Sequence, residues 1–215
     1  MVFMKKPAFT KHDVEVIRKE SGYSGFFELN IYTLRHKKFE GGWAPEITRE
    51  IFERGHAVAV LPYDPKLDTV LLLEQFRPGS YFSMSSPWFD EDASPWMYEG
   101  VAGMIEDGES PEEVAYREAI EETGTPLSDL IPVTHYLVSP GGTTESVFVF
   151  IGLADLSNVE GIHGIDYEGE DIRPFSLPLG EAYEMIETGI VNNAMSIIAL
   201  QWLMLNKQKV LDKWN

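Results

Sequence analysis

Bulky and polar positions alternate with period two over residues 26–39, where Phe27, Leu29, Ile31, Thr33 and Arg35 fall in step before Gly41-Gly42, which predicts a strand and a turn. The same signal returns at 47–54, 57–63 and 69–76, the last two joined by Asp64-Pro65-Lys66-Leu67-Asp68, a tight connection by composition. Residues 77–95 break the rhythm with Pro78, Gly79, Pro87 and Pro95 among acids and aromatics, which predicts a loop or lid. A short strand at 97–102 follows.

The pattern then changes period. Ser110 suits an N-cap, Pro111 the first turn, Glu113 completes a Ser-x-x-Glu capping box, and Gly124 suits the position after the last turn, which predicts a helix over 111–123. Strands are expected at 131–138 and 146–153 around Ser139-Pro140-Gly141-Gly142, then an acidic loop at 160–171 and a strand at 172–177. Two helices close the chain, 180–188 and 193–213, the second with Ile197, Ile198, Leu200, Gln201, Leu203 and Met204 on and around a buried face. This order of elements predicts a mixed α/β (α+β) protein. A strand-rich N-terminal subdomain, residues 1–54, leads into an α/β/α core, residues 55–215.

Composition narrows what that core can do. Hydrophobic residues are 44% of the 215, enough to collapse, and no cysteine is present, so disulfides, thiolate metal sites and cysteine nucleophiles are excluded. A metal must then sit on oxygen or imidazole. The formal charge of −18 argues against duplex nucleic acid as a partner, and no run of eighteen apolar residues or signal-peptide stretch points to a membrane. The simplest reading is a cytoplasmic protein.

The densest chemistry lies between Gly103 and Gly124. At about 100° per residue, Glu118, Glu121 and Glu122 share an arc of roughly 100° on the predicted helix. Such a face is either solvated or balanced by cations, and carboxylate oxygens suit Mg²⁺ or, alternatively, Mn²⁺. The spacing Gly-x5-Glu-x7-Arg-Glu-x-x-Glu-Glu-x-Gly should arise by chance on the order of 10⁻⁵ times in a chain of this composition. It resembles the Nudix box, the signature of hydrolases of nucleoside diphosphates linked to another moiety; two usually aliphatic positions are Ala119 and Thr125 here.

The resemblance implies a Nudix α/β/α sandwich with an N-terminal antiparallel β subdomain. It makes Glu118, Glu122 and the Ala102 carbonyl metal ligands and Glu121 an additional ligand or a support behind them. Arg117 would orient the carboxylates, and Glu109 would brace the loop. Further segments, among them Arg49-Glu50, Arg54-Gly-His56, Glu74-Gln75-Phe76-Arg77, Ser139-Pro-Gly-Gly and Glu168-Gly-Glu170-Asp171, are similar to the bacterial ADP-ribose pyrophosphatases over most of the chain. That likeness implies a homodimer with exchanged N-terminal strands and a small-molecule nucleoside diphosphate sugar as substrate, without nucleic acid or membrane. Phe26 and Phe27 would flank the adenine; Arg49, Glu50, Arg54 and Arg77 would hold the nucleotide and its phosphates; Met104, Ser139 and Glu145 would complete the pocket. Glu168 would be the general base, and Glu170 would reach a metal.

Each assignment has a plainer counterpart. Phe26 or Phe27 can be core, Arg49 and Arg54 solvated strand residues, Arg77 a strand end, Ser139-Pro-Gly-Gly a turn, and 160–171 an exposed acidic loop. His163, between two glycines, reads as structural. Yet this acidic chain holds only seven arginines, and a diphosphate needs planar donors. The expected activity is hydrolysis of ADP-ribose to AMP and ribose 5-phosphate. Alternatives are another substrate such as ADP-glucose, favoured by the aromatics of 81–96 near the expected site, a non-catalytic ADP-ribose sensor, or RNA decapping, which the charge disfavours.

Overall fold

A computed structural model describes residues 6–165, 167 and 169–214. It resolves into two compact units: the described residues up to Gly55 together with Leu137–Glu145, and His56–Tyr136 with the described residues from Ser146 onward. The sequence division at 54 leaves the 137–145 hairpin with the core, whereas its backbone joins the N-terminal unit. Phe52 donates its N–H to the Gly142 carbonyl at 2.9 Å, and Thr144 donates to the Phe52 carbonyl at 3.1 Å.

The N-terminal unit is a three-stranded antiparallel sheet of β1 (Val14–Ser24), β2 (Glu28–His36) and β3 (Ile47–Glu53), with β2 central. The first strand was not anticipated. Two register shifts, between Val16 and Arg18 and between Ser21 and Tyr23, interrupt its alternation, so its apolar residues never form a period-two row. All eleven of its residues are exposed.

The second unit is built on a seven-stranded sheet whose main path runs β10 (Arg173–Pro178), β5 (Thr69–Phe76), β4 (Ala57–Asp64), β9 (Ser146–Leu153) and β8 (Asp129–Leu137). The β4–β9 pair is parallel and the β4–β5 pair antiparallel. The strand expected at 97–102 is two strands. β6 (Trp96–Glu99) pairs with β5 and β7 (Val101–Met104) with β4. They break at Gly100, where a Cβ would stand 3.2 Å from the Val60 carbonyl oxygen. The 77–95 loop also contains a short helix, α1 (Pro78–Ser83), with Pro78 in its first turn.

α2 (Pro111–Thr123) forms as its punctuation dictates. Ser110 accepts from the Glu113 N–H, the Glu113 carboxylate accepts from the Ser110 N–H, and Gly124 closes the helix at φ 65°. Val114, Ala115 and Ala119 of α2 pack on one face of the sheet against Val58, Val60, Leu71, Leu73 and Val101. Burial of each such large aliphatic side chain contributes about 1.5–3 kcal/mol. Ala119 and Thr125, the two unusual box positions, are both buried. α3 (Leu179–Glu187) and α4 (Ala194–Trp214) cover the other face with Leu179, Ala182, Ala199, Leu200 and Leu203. Gln201 and Met204, expected around the buried face of α4, are exposed instead. The helix bends at Asn206, whose φ of −118° lies outside the helical region. Among the described residues no helix is long and apolar enough to cross a membrane.

Candidate active site

Helix periodicity sets the acidic cluster. Glu118, Glu121 and Glu122 emerge on neighbouring faces of α2, but their surroundings differ. Glu122 is buried, and its carboxylate accepts from the Ala102 N–H on β7 at 3.0 Å. Glu118 is half-buried and Glu121 more open. One cation gathers the outer two: Arg117 Nη1 donates to Glu118 at 2.7 Å and to Glu121 at 2.9 Å. The rest of the guanidinium grips Glu109 through Nε and Nη2 at 2.9 and 3.1 Å. Glu109 in turn accepts from the Glu106 N–H at 3.0 Å, so it holds both the loop and the arginine.

The electrostatics follow from that packing. Burial raises Glu118 to about 7; Glu121 and Glu170 push in the same direction, while Arg117 opposes them. Glu122 is raised well above the carboxylate range, again chiefly by burial, with Glu118 and Glu170 adding to the rise. The Ala102 N–H and the charge of Arg77 act against it. Arg117 binds its own proton more tightly because of Glu109, and Glu109 is lowered by Arg117. Burial, with neighbouring carboxylates adding to it, thus raises the proton affinity of Glu118 and Glu122, an arrangement that a hard divalent cation would relieve.

The residues fit such an ion in donor chemistry. All donors are oxygens, and a Cβ on Gly103 would overlap the Glu118 carboxylate, so only glycine leaves that carboxylate its berth above the β7 backbone. Among the described residues, however, no three acidic or imidazole side chains already stand at ion-enclosing distances. Glu118 is instead turned onto Arg117.

The acidic loop reaches this helix from its C-terminal end. Gly164 donates its N–H to the Glu121 carbonyl at 3.3 Å, and His163 packs beside Gly124. His163 exchanges backbone hydrogen bonds with Ile172 at 2.8 and 3.0 Å, and its Nε2 lies 3.0 Å from the Glu160 carbonyl, a structural setting. The half-buried Glu170 accepts from the Ile165 N–H at 3.0 Å. Glu168, the expected base, lies outside the described residues.

Arg77 follows β5 directly, and continued strand alternation puts it on the same sheet face as α2. Its Nε donates to the buried Glu99 at 2.6 Å, a partner the sequence reading missed because it lies 22 residues away on another strand. Met104, at the end of β7, has an exposed side chain, and its carbonyl accepts from Arg117 Nη2 at 3.4 Å. The insertion's aromatics lie elsewhere. Trp88, Phe89 and Trp96 line a cavity of about 510 Å³ with Glu74, Tyr98 and Ile190. Strand alternation puts Glu74, Tyr98 and Trp96 on the α3/α4 face, away from α2, which corrects the expectation that they adjoin the acidic cluster.

In the N-terminal unit, Phe26 is 85% exposed and meets Phe27 edge-on at 4.7 Å; Phe27 meets Phe52 at 5.3 Å. The Arg54 guanidinium lies 5.3 Å from the centre of the Phe27 ring and 3.5 Å from Glu145. These four candidates are therefore brought together. Ser139 serves its turn, accepting from the Gly142 and Thr143 N–H groups. Glu50 shares a β3 face with Phe52 and Arg54, whereas Arg49 falls on the opposite face and donates to the Thr48 carbonyl at 2.7 Å.

Comparison with known proteins adds an independent line. A profile of the NUDIX domain matches residues 53–197. The ADP-ribose pyrophosphatase of Escherichia coli K12 is 47% identical over 206 residues, covering 96% of this chain and 95% of that protein. The ADP-ribose pyrophosphatase of Haemophilus influenzae is 39% identical, covering 96% and 93%. The GDP-mannose pyrophosphatase of Escherichia coli O1:K1 is 33% identical over 159 residues, covering 74% and 78%.

Proposed function

This chain belongs to the Nudix family, and from that premise we propose that it is a pyrophosphohydrolase that splits the diphosphate of ADP-ribose, with Mg²⁺, into AMP and ribose 5-phosphate. The observation that carries the substrate is the 47% identity to an ADP-ribose pyrophosphatase along nearly the whole of both chains, N-terminal unit included. A likeness confined to the box would support only diphosphate chemistry.

In this reading Glu118, Glu122, Glu170 and the Ala102 carbonyl hold the divalent ions, with Glu121 beside them and Arg117 setting the carboxylates. Bound there, the ions would neutralise the diphosphate and acidify a water. Glu168 accepts the proton of the attacking water. Arg77 holds phosphate oxygens, Met104 and Ser139 close the pocket, and Phe26 and Phe27 flank the adenine. Arg54, with its countercharge Glu145, and Glu50 and Arg49 hold the nucleotide. Since Arg49 and Arg54 leave β3 on opposite faces, one sheet can serve two sites. That supports a homodimer with exchanged N-terminal strands, and the fully exposed β1 is available for such an exchange. A cysteine-free, acidic chain suits the cytoplasm.

The GDP-mannose pyrophosphatase relatives, at about a third identity, favour one second reading: the same chemistry on another nucleoside diphosphate sugar. A panel of ADP-ribose, ADP-glucose and GDP-mannose with Mg²⁺ in ¹⁸O water tests both. ADP-ribose is expected to give the highest kcat/KM, with AMP and ribose 5-phosphate as products. A tenfold preference for another sugar would replace it, and binding without phosphate release after phosphatase coupling would make the protein a sensor.

A further inference from the structure

The α2 face of the sheet carries polar groups that the carboxylate cluster does not account for. Along β5, strand alternation sends Leu71, Leu73, Gln75 and then Arg77 to this face, and register places Glu99 of β6 opposite Leu73. Leu71 and Leu73 are fully buried, so Glu99, 4% exposed, keeps its carboxylate at the edge of an apolar layer. A charge there is costly without a partner. Among the described residues its side-chain partner is Arg77 Nε, at 2.6 Å.

That pair takes only one of the five guanidinium donors. The two terminal nitrogens of Arg77 bond no described residue, while its backbone N–H is fixed by the Pro95 carbonyl at 3.0 Å. Gln75, 5% exposed, points to the same face, and its buried Nε2 has no acceptor among the described residues. Buried donors without acceptors are rare in proteins and ask for an explanation. The Arg77 fork and the Gln75 amide together leave donors open on a face that also bears the acidic helix.

We propose that Glu99 is a positioning residue: by holding Arg77 through Nε alone, it presets both terminal nitrogens as a fork for two oxygens of the substrate diphosphate. This rests on reading Arg77 as a phosphate-holding residue. An arginine fixed before binding loses less side-chain freedom when the substrate arrives. Without Glu99 the guanidinium keeps its charge and loses its aim.

A double-mutant cycle on the full-length protein tests this, with kcat and KM for ADP-ribose and the melting temperature measured for each variant. Charge-assisted hydrogen bonds are worth roughly one to two decades. Arg77→Ala is expected to lower kcat/KM by about 100-fold and Glu99→Gln by about tenfold, with the double variant no worse than Arg77→Ala alone. A merely structural Glu99 would lower activity equally in the Arg77→Ala background, so multiplying effects overturn the proposal. So does native activity in Glu99→Gln. If Glu99→Gln melts well below the wild type, Glu99→Asp replaces it, keeping the charge but drawing the guanidinium back by one methylene; the same non-additive loss is expected, and additive loss or none overturns the proposal. If Arg77→Ala itself leaves kcat/KM unchanged, the phosphate-holding role of Arg77 fails, and the proposal fails with it.

Discussion

The acidic helix and the N-terminal sheet solve opposite problems. α2 finishes its own architecture: it is capped at both ends, packed on the sheet through Val114, Ala115 and Ala119, and has Glu118 and Glu121 tied to Arg117. The N-terminal sheet leaves its outer strand without a buried residue, with Val14, Val16, Ile17 and Tyr23 open, and Phe26 beyond it exposed as well. Chemistry can be assembled by one short helix, because 3.6-residue periodicity alone brings carboxylates together. Recognition of a large ligand needs surface, and on the proposed reading the exposed residues of this sheet supply it.

The sharpest way to break this contrast is to disarm the helix without disturbing the sheet. Glu118→Gln and Glu122→Gln keep shape and are expected to lower kcat by about 10³-fold or more at a nearly unchanged melting temperature. Unchanged turnover would remove the carboxylates from the chemistry. A smaller effect is expected from the other region. Phe26→Ala should raise KM about tenfold with kcat preserved, as for a lost stacking face; a pure kcat effect would give Phe26 to the reaction.

The pH response separates the regions further. Glu118 stands at about 7 in the folded chain against an ordinary 4.5, so between those values the native state holds more protons than the unfolded one. With a chelator present, the Glu118 contribution to stability should be fullest below about pH 4.5 and fall as pH rises through about 7, and Mg²⁺ should flatten the fall. Melting curves at pH 5, 6, 7 and 8 would read it; a chelated protein that gains stability over this window contradicts the burial argument. The smallest effect is the cap. Ser110→Ala should cost about 1 kcal/mol of stability and leave KM untouched.

Much of the helix was legible because its signals are local. Ser110, Pro111, Glu113 and Gly124 lie within a few residues of what they control, and the predicted 111–123 span is the observed one. The strand at 146–153 was equally plain. β1 was not, since two bulges hide its alternation, and one strand was read where Gly100 makes two. The acidic face on α2 follows from spacing, but its burial does not. Glu122 lies under β7 and accepts from the Ala102 N–H, whereas Glu121 is more open and held by Arg117. Glu99 and Gln75 escaped for the same reason: their meaning depends on which strand lies next door. Alternation of Leu71, Leu73, Gln75 and Arg77 was the signal that could have flagged Gln75.

The loop that carries Glu170 does not arrive at the acidic helix from an unrelated part of the molecule. It is fastened to the helix terminus itself, through the Gly164 N–H on the Glu121 carbonyl and the His163 ring against Gly124. For protein engineering the two segments are therefore a single cassette. Grafting the helix into a new scaffold without residues 161–172 would transfer the carboxylates and leave behind the clasp on its terminus.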